Sequence, residues 1–114
     1  MLKRIGTVPI DMISRVLEEI CSKLGEKSEI AMMKVYGSWV KGTETPESDL
    51  DICFMLKKRN KNLVKEIDNI LFDIGLNNDI VISPVYFFKE DINKKIYEFS
   101  PFYNAVMKSG VDLQ

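Results

Sequence analysis

Two short apolar runs, Ile30–Tyr36 and Leu50–Leu56, constrain this chain more than any other feature. Each is too short for a stable helix and is bounded by turn-forming or charged residues. Gly37 closes the first, Thr45-Pro46-Glu47-Ser48 precedes the second, and Lys57-Lys58-Arg59-Asn60-Lys61 follows it. Both are therefore expected to be buried strands. Helical stripes surround them. Ile10, Ile13, Val16, Leu17, Ile20, Cys21 and Leu24 recur at helical spacing up to Gly25, where a helix end is expected. Leu63, Val64, Ile67, Ile70, Leu71 and Ile74 form a second stripe, expected to stop near Gly75. Asn77-Asn78 should then turn the chain into a third strand, Asp79–Phe88, rich in β-branched and aromatic residues. The remainder reads as two short helices broken at Ser100-Pro101, with Ile92, Ile96 and Phe99 before the break, Phe102, Val106 and Met107 after it, and Gly110 as a cap.

This order, α-β-β-α-β-α-α, implies an α+β fold: a sheet of at least three strands packed against helices, in a single domain spanning residues 1–114. Strand directions do not follow from the pattern, although the helix before the third strand is long enough for a crossover.

Composition narrows the chemistry. The chain contains no histidine, which removes histidine-dependent triads and the usual zinc-hydrolase ligand sets. Its 16 basic and 17 acidic residues leave a net charge of -1, without the basic excess of a protein that tracks nucleic acid through its phosphates. An extended nucleic-acid groove is therefore not expected. No apolar run approaches the ~20 residues that span a bilayer, and the start, Met1-Leu-Lys-Arg-Ile-Gly-Thr, lacks the apolar core of a signal peptide. A cytoplasmic protein without membrane partners is expected. Cys21 and Cys53 both sit inside apolar patterns and read as reduced core residues. The basic run 57–61 reads as a solvated loop, and the aromatics Tyr86, Phe87, Phe88, Tyr97, Phe99, Phe102 and Tyr103 read as packing. Trp39 has two readings, stacking on a base or covering the apolar side of a turn.

The stretch between the first two strands carries the chemistry. Gly37 lets the backbone turn sharply and approach a ligand without a Cβ, while Ser38 offers a hydroxyl and backbone N–H groups at the start of a short helical turn, an arrangement suited to phosphate. Asp49 and Asp51, two apart at the entry to a strand, aim their carboxylates at the same side. Two such carboxylates repel unless a cation joins them, and magnesium, a hard ion satisfied by carboxylates, triphosphate oxygens and water, is the natural partner.

The sequence Gly37-Ser38, ten residues, then Asp49-Leu50-Asp51 resembles the signature of minimal nucleotidyltransferases of the polymerase-beta superfamily. Asp79, opening an apolar third strand, resembles the family's third carboxylate, although it also reads as a turn residue. The Ser100-Pro101-Phe102-Tyr103 to Gly110 ending resembles the tail of many minimal members. Lys41 stands before Gly42 where the family commonly carries a basic residue, often arginine.

The resemblance implies a nucleotidyltransferase (polymerase-beta-like) fold with a small mixed sheet. It implies magnesium held by Asp49, Asp51 and Asp79, a nucleoside triphosphate held by Gly37 and Ser38, and Asp79 as base or ligand of a second metal. ATP is the expected donor. With no further domain to hold a primer or transfer RNA, a helical HEPN partner is the expected acceptor, modified on a hydroxyl by AMP in a toxin–antitoxin pair in which this chain is the antitoxin. Two alternatives stand beside it, a small-molecule transferase similar to those that adenylylate aminoglycosides, and a non-catalytic nucleotide-binding domain that masks a partner.

Overall fold

The computed structural model describes residues 10–45, 47–92 and 100–113. The chain's start, and the helical positions expected at Ile96 and Phe99 with the aromatic Tyr97, lie outside the described residues. The elements in chain order are α1 (Ile10–Leu24), β1 (Ile30–Tyr36), α2 (Ser38–Lys41), β2 (Leu50–Leu56), α3 (Lys61–Asn78), β3 (Ile82–Phe88), α4 (Lys89–Ile92), α5 (Pro101–Ser109) and β4 (Val111–Asp112).

The four strands form one mixed sheet in the order β3-β2-β1-β4. β1 runs antiparallel to β2 and β4, whereas β2 and β3 are parallel and α3 supplies the crossover that a parallel pair requires. One sheet face packs on α1 and α3. Leu50, Ile52, Phe54 and Leu56 of β2 meet Val16, Leu17 and Ile20 of α1 and Ile67, Leu71 and Ile74 of α3, all fully or almost fully buried. Each such side chain contributes about 1.5–3 kcal/mol relative to exposure. The opposite face carries Cys53, Met55 and Phe87, covered by Val106 and Tyr103 of α5. Because β2 is covered on both faces, it reads as a continuous apolar run and not as an alternating one.

Local chemistry sets most of the ends. Gly25 donates its N–H to the Cys21 carbonyl at 2.8 Å, closing α1. Asn60 caps α3 by accepting from the Leu63 N–H at 3.1 Å, and Ser100 caps α5 by accepting from Tyr103 at 3.2 Å with Pro101 in the first turn. Pro84 lies within β3, which is an edge strand, where a missing N–H is tolerated.

The structure departs from the sequence expectations at three places. Helix α3 does not stop at Gly75 but runs to Asn78, so Asn77 and Asn78 are helical and not a turn. Strand β3 begins at Ile82, three residues later than expected. A fourth short strand, β4, pairs with β1, and Lys34 holds it through an ion pair to Asp112 at 2.9 Å. Both cysteines are free, Cys53 fully buried and Cys21 partly so. Among the described residues, no helix is long and apolar enough to cross a membrane.

Candidate active site

The site is built where β1 ends and β2 begins, at one end of the sheet. Gly37 leaves β1 with φ 84° and ψ -153°, a backbone conformation open to glycine and strained for other residues. A Cβ built on Gly37 would lie 2.5 Å from Asp51 Oδ2, so only glycine lets that carboxylate pack directly against the turn. Val40 and Lys41 both donate their N–H groups to the Gly37 carbonyl at 3.1 Å, which winds α2 from Ser38. The Ser38 and Trp39 N–H groups precede the first such bond and have no acceptor inside the turn, as at any helix start. Trp39 is buried in the core and covers the apolar side of the turn, which decides between its two readings.

Asp51 lies on the α5-facing side of the sheet, with Tyr36 opposite it on antiparallel β1 and Ser83 opposite it on parallel β3. Its carboxyl is raised above its ordinary value, first by burial and then by the negative charge of Asp49. Asp49, exposed and one residue before the strand, is thus close enough for the two carboxylates to repel each other. The Tyr36 phenol is pushed up to about 12, by burial first and then by Asp51 and Cys53. Tyr36 also packs edge-on against Phe102 of α5, with ring centroids 5.6 Å apart, which holds it beside Asp51.

Gly37, Ser38, Asp49 and Asp51 are therefore gathered at one corner. Asp79 does not complete a three-carboxylate group with Asp49 and Asp51 among the described residues. It does not open β3; it is the C-cap of α3, in the left-handed conformation with φ 55°, donating its N–H to the Gly75 carbonyl. Aspartate tolerates that conformation better than most residues, which accounts for its place. Asp79 shares an open cleft of about 600 Å³ with Asp49, but the residue facing Asp51 from β3 is Ser83. No group of three or more histidine, cysteine, aspartate or glutamate donors converges among the described residues.

The pair fits a divalent cation all the same. Asp51, packed against Gly37, and Asp49, whose charge acts on it, are hard oxygen donors of the kind magnesium takes when phosphate oxygens and water complete its shell. The sequence did not mark Tyr36 or Ser83. Their relation to Asp51 depends on strand direction and register, and the only local signal is that Tyr36 immediately precedes Gly37.

No curated protein gave a significant match to the chain. Among solved structures, a Sulfolobus solfataricus protein assigned as a nucleotidyltransferase, determined at 1.40 Å, is similar at 16% identity and a TM-score of 0.43, over 75% of this chain and 71% of that one. A family model described as a nucleotidyltransferase domain matches residues 13–111, nearly the whole length. With that match and a mixed sheet packed against helices, the chain belongs to the nucleotidyltransferase domain family.

Proposed function

We propose that the protein transfers a nucleoside monophosphate, AMP from ATP, to a hydroxyl on a partner protein, and that Gly37, Ser38, Asp49 and Asp51 hold the triphosphate end of the donor. The observation that carries this reading is the close packing of the Asp51 carboxylate on the Gly37 turn, which a Cβ at position 37 would prevent and which sets the Gly37-Ser38 turn directly against the carboxylate pair. Ser38 would donate its hydroxyl to phosphate oxygens, and the Ser38 and Trp39 N–H groups would donate alongside it. Asp49 and Asp51 would hold magnesium, which neutralises the triphosphate and favours departure of pyrophosphate. The acceptor oxygen then bonds to the α-phosphorus as the bond to pyrophosphate breaks, and positioning supplies much of the rate. Among the described residues no third carboxylate joins the pair, so the hydroxyl proton would pass to water or to a base on the acceptor.

A protein acceptor is supported by the near-neutral charge, which does not suit nucleic acid. A HEPN-type helical partner, with this chain as the antitoxin, is the specific form of the reading and rests on the resemblance of residues 37–51. The small-molecule reading predicts label on an aminoglycoside instead.

One observation favours a second reading, nucleotide binding without transfer: among the described residues no third carboxylate joins Asp49 and Asp51 at the corner. The test is incubation with α-labelled ATP and magnesium, with the protein encoded by the adjacent reading frame in one arm and an aminoglycoside in another. Label retained on the neighbouring protein after denaturation supports protein adenylylation. Binding of ATP with no label in either arm supports the masking domain, and the absence of magnesium-dependent binding contradicts both.

A further inference from the structure

Helix α3 carries a ridge that its core stripe does not use. Asp68, Phe72 and Leu76 follow one another at intervals of four, which places them in a single row on the helix surface. Phe72 and Leu76 are each 66% exposed, and Val81, on the chain entering β3, is 62% exposed. Together with Ser48 and Asp49 they line the cleft of about 600 Å³. Isolated exposed apolar residues are ordinary, but three that share one cleft reaching a carboxylate of the candidate site are not scattered.

The cleft is also acidic. Glu47, Asp49, Asp68 and Asp79 border it, and no lysine or arginine is among the described residues that line it. Apart from Asp49, which would carry the magnesium of the donor, such a rim repels a triphosphate, so the rest of the cleft does not suit the donor. It also disfavours a second copy of this chain bound through the same face, because a twofold contact would set these carboxylates against their own copies. Asp68 additionally accepts from the Tyr86 hydroxyl at 2.5 Å, which fixes the upper part of the ridge.

We infer that this cleft docks a basic amphipathic segment of the acceptor protein, with its apolar side on Phe72, Leu76 and Val81, its lysines or arginines on the acidic rim, and its hydroxyl presented at the Asp49 end. The inference rests on the proposed transfer reaction for the identity of the segment, but docking itself is measurable without nucleotide.

The test uses the full chain and a fluorescein-labelled helical peptide of leucine, lysine and one tyrosine, with a second peptide carrying glutamate in place of lysine. Anisotropy should show binding of the lysine peptide that weakens with salt, and binding of the glutamate peptide weaker by about tenfold or more. The double variant Phe72→Ser/Leu76→Lys changes only exposed positions and should weaken lysine-peptide binding by about tenfold or more, with its melting curve and magnesium–ATP binding unchanged. Equal affinity for both peptides, or equal affinity of parent and double variant, overturns the inference. So does a parent dimer that the double variant dissolves. Docking lost in the double variant, with no AMP transfer to the peptide tyrosine under any condition, leaves the docking site standing and removes support from the transfer reading. Transfer that is insensitive to the double variant does the reverse.

Discussion

Two corners of this molecule look alike in sequence and differ in what they do. At Gly37–Asp51 and at Gly75–Ile82 a glycine and an aspartate stand where helix and strand meet. At the first, the space left by the missing Cβ is bounded by a carboxylate oxygen, Asp51 Oδ2, 2.5 Å from the ideal Cβ position. At the second it is filled by main chain, with the Ile80 carbonyl 2.5 Å from the Cβ position of Gly75 and the Ile80 N–H donated back to the Gly75 carbonyl at 3.0 Å. One glycine lets a carboxylate pack against the turn, and the other lets the chain cross its own helix. What a glycine faces, rather than its company in the sequence, separates the candidate binding corner from the packing corner.

Substitutions at the two glycines should separate the two corners most strongly. Gly37→Val places a β-branched side chain at positive φ and against Asp51, and magnesium–ATP affinity measured by calorimetry should fall on the order of 100-fold, about 2.7 kcal/mol. Gly75→Ala forces the Ile80 carbonyl away and should cost about 1–3 kcal/mol of stability in urea denaturation, while the folded protein keeps its nucleotide affinity. If Gly75→Ala instead weakened nucleotide binding without destabilising the fold, the two corners would not differ in the way described.

Smaller effects separate the polar residues. Ser38→Ala deletes one hydroxyl contact and keeps the backbone donors, so nucleotide binding should weaken by about 0.5–1.5 kcal/mol. Asp79→Asn alters an exposed helix cap outside the carboxylate pair, and nucleotide affinity should change by less than about 0.5 kcal/mol. A large loss of ATP affinity in that variant, seen in the same titration, would return Asp79 to the metal site.

The least conspicuous effect is one of pH. The Asp51 carboxyl is raised in the fold above the value of 3.8, so its ionised form disfavours the folded state. That penalty is absent below the unfolded value, grows as pH rises towards the folded one, and is complete above it. Asp51→Asn should therefore melt at or above the parent temperature near neutral pH, and the difference should shrink as pH falls through the raised value. A variant less stable than the parent at neutral pH would mean that the Asp51 charge stabilises the fold.

The first corner was legible in the sequence because its chemistry is local. Gly37, Ser38, Asp49 and Asp51 lie within fifteen positions of one another, and the two apolar runs that frame them have the boundaries read from the sequence. The second corner was misread because Gly75 and Asn77-Asn78 carry strong turn propensities that packing overrode. Leu71 and Ile74 hold the last turns of α3 on the sheet, and Gly75 is needed there for a close main-chain crossing. Once α3 runs to Asn78, Asp79 falls on its cap, and parallel register presents Ser83 to Asp51. Register is a property of paired strands, so no pattern within β3 alone could have supplied it. The short β4 was missed for the same reason: two residues, Val111 and Asp112, gain strand geometry only by pairing with Val35 and Lys34.

The proposed function requires Asp49 and Asp51 to bind a magnesium-chelated triphosphate beside Gly37. Calorimetric titration of ATP, with magnesium and with chelator, tests it on the parent and on Asp49→Asn/Asp51→Asn, with melting curves recorded on the same preparations. The parent should bind ATP only when magnesium is present, and the double variant should remain folded and lose that dependence, with affinity lower by about 100-fold or more. A folded double variant that binds magnesium–ATP as tightly as the parent would contradict the assignment of the site.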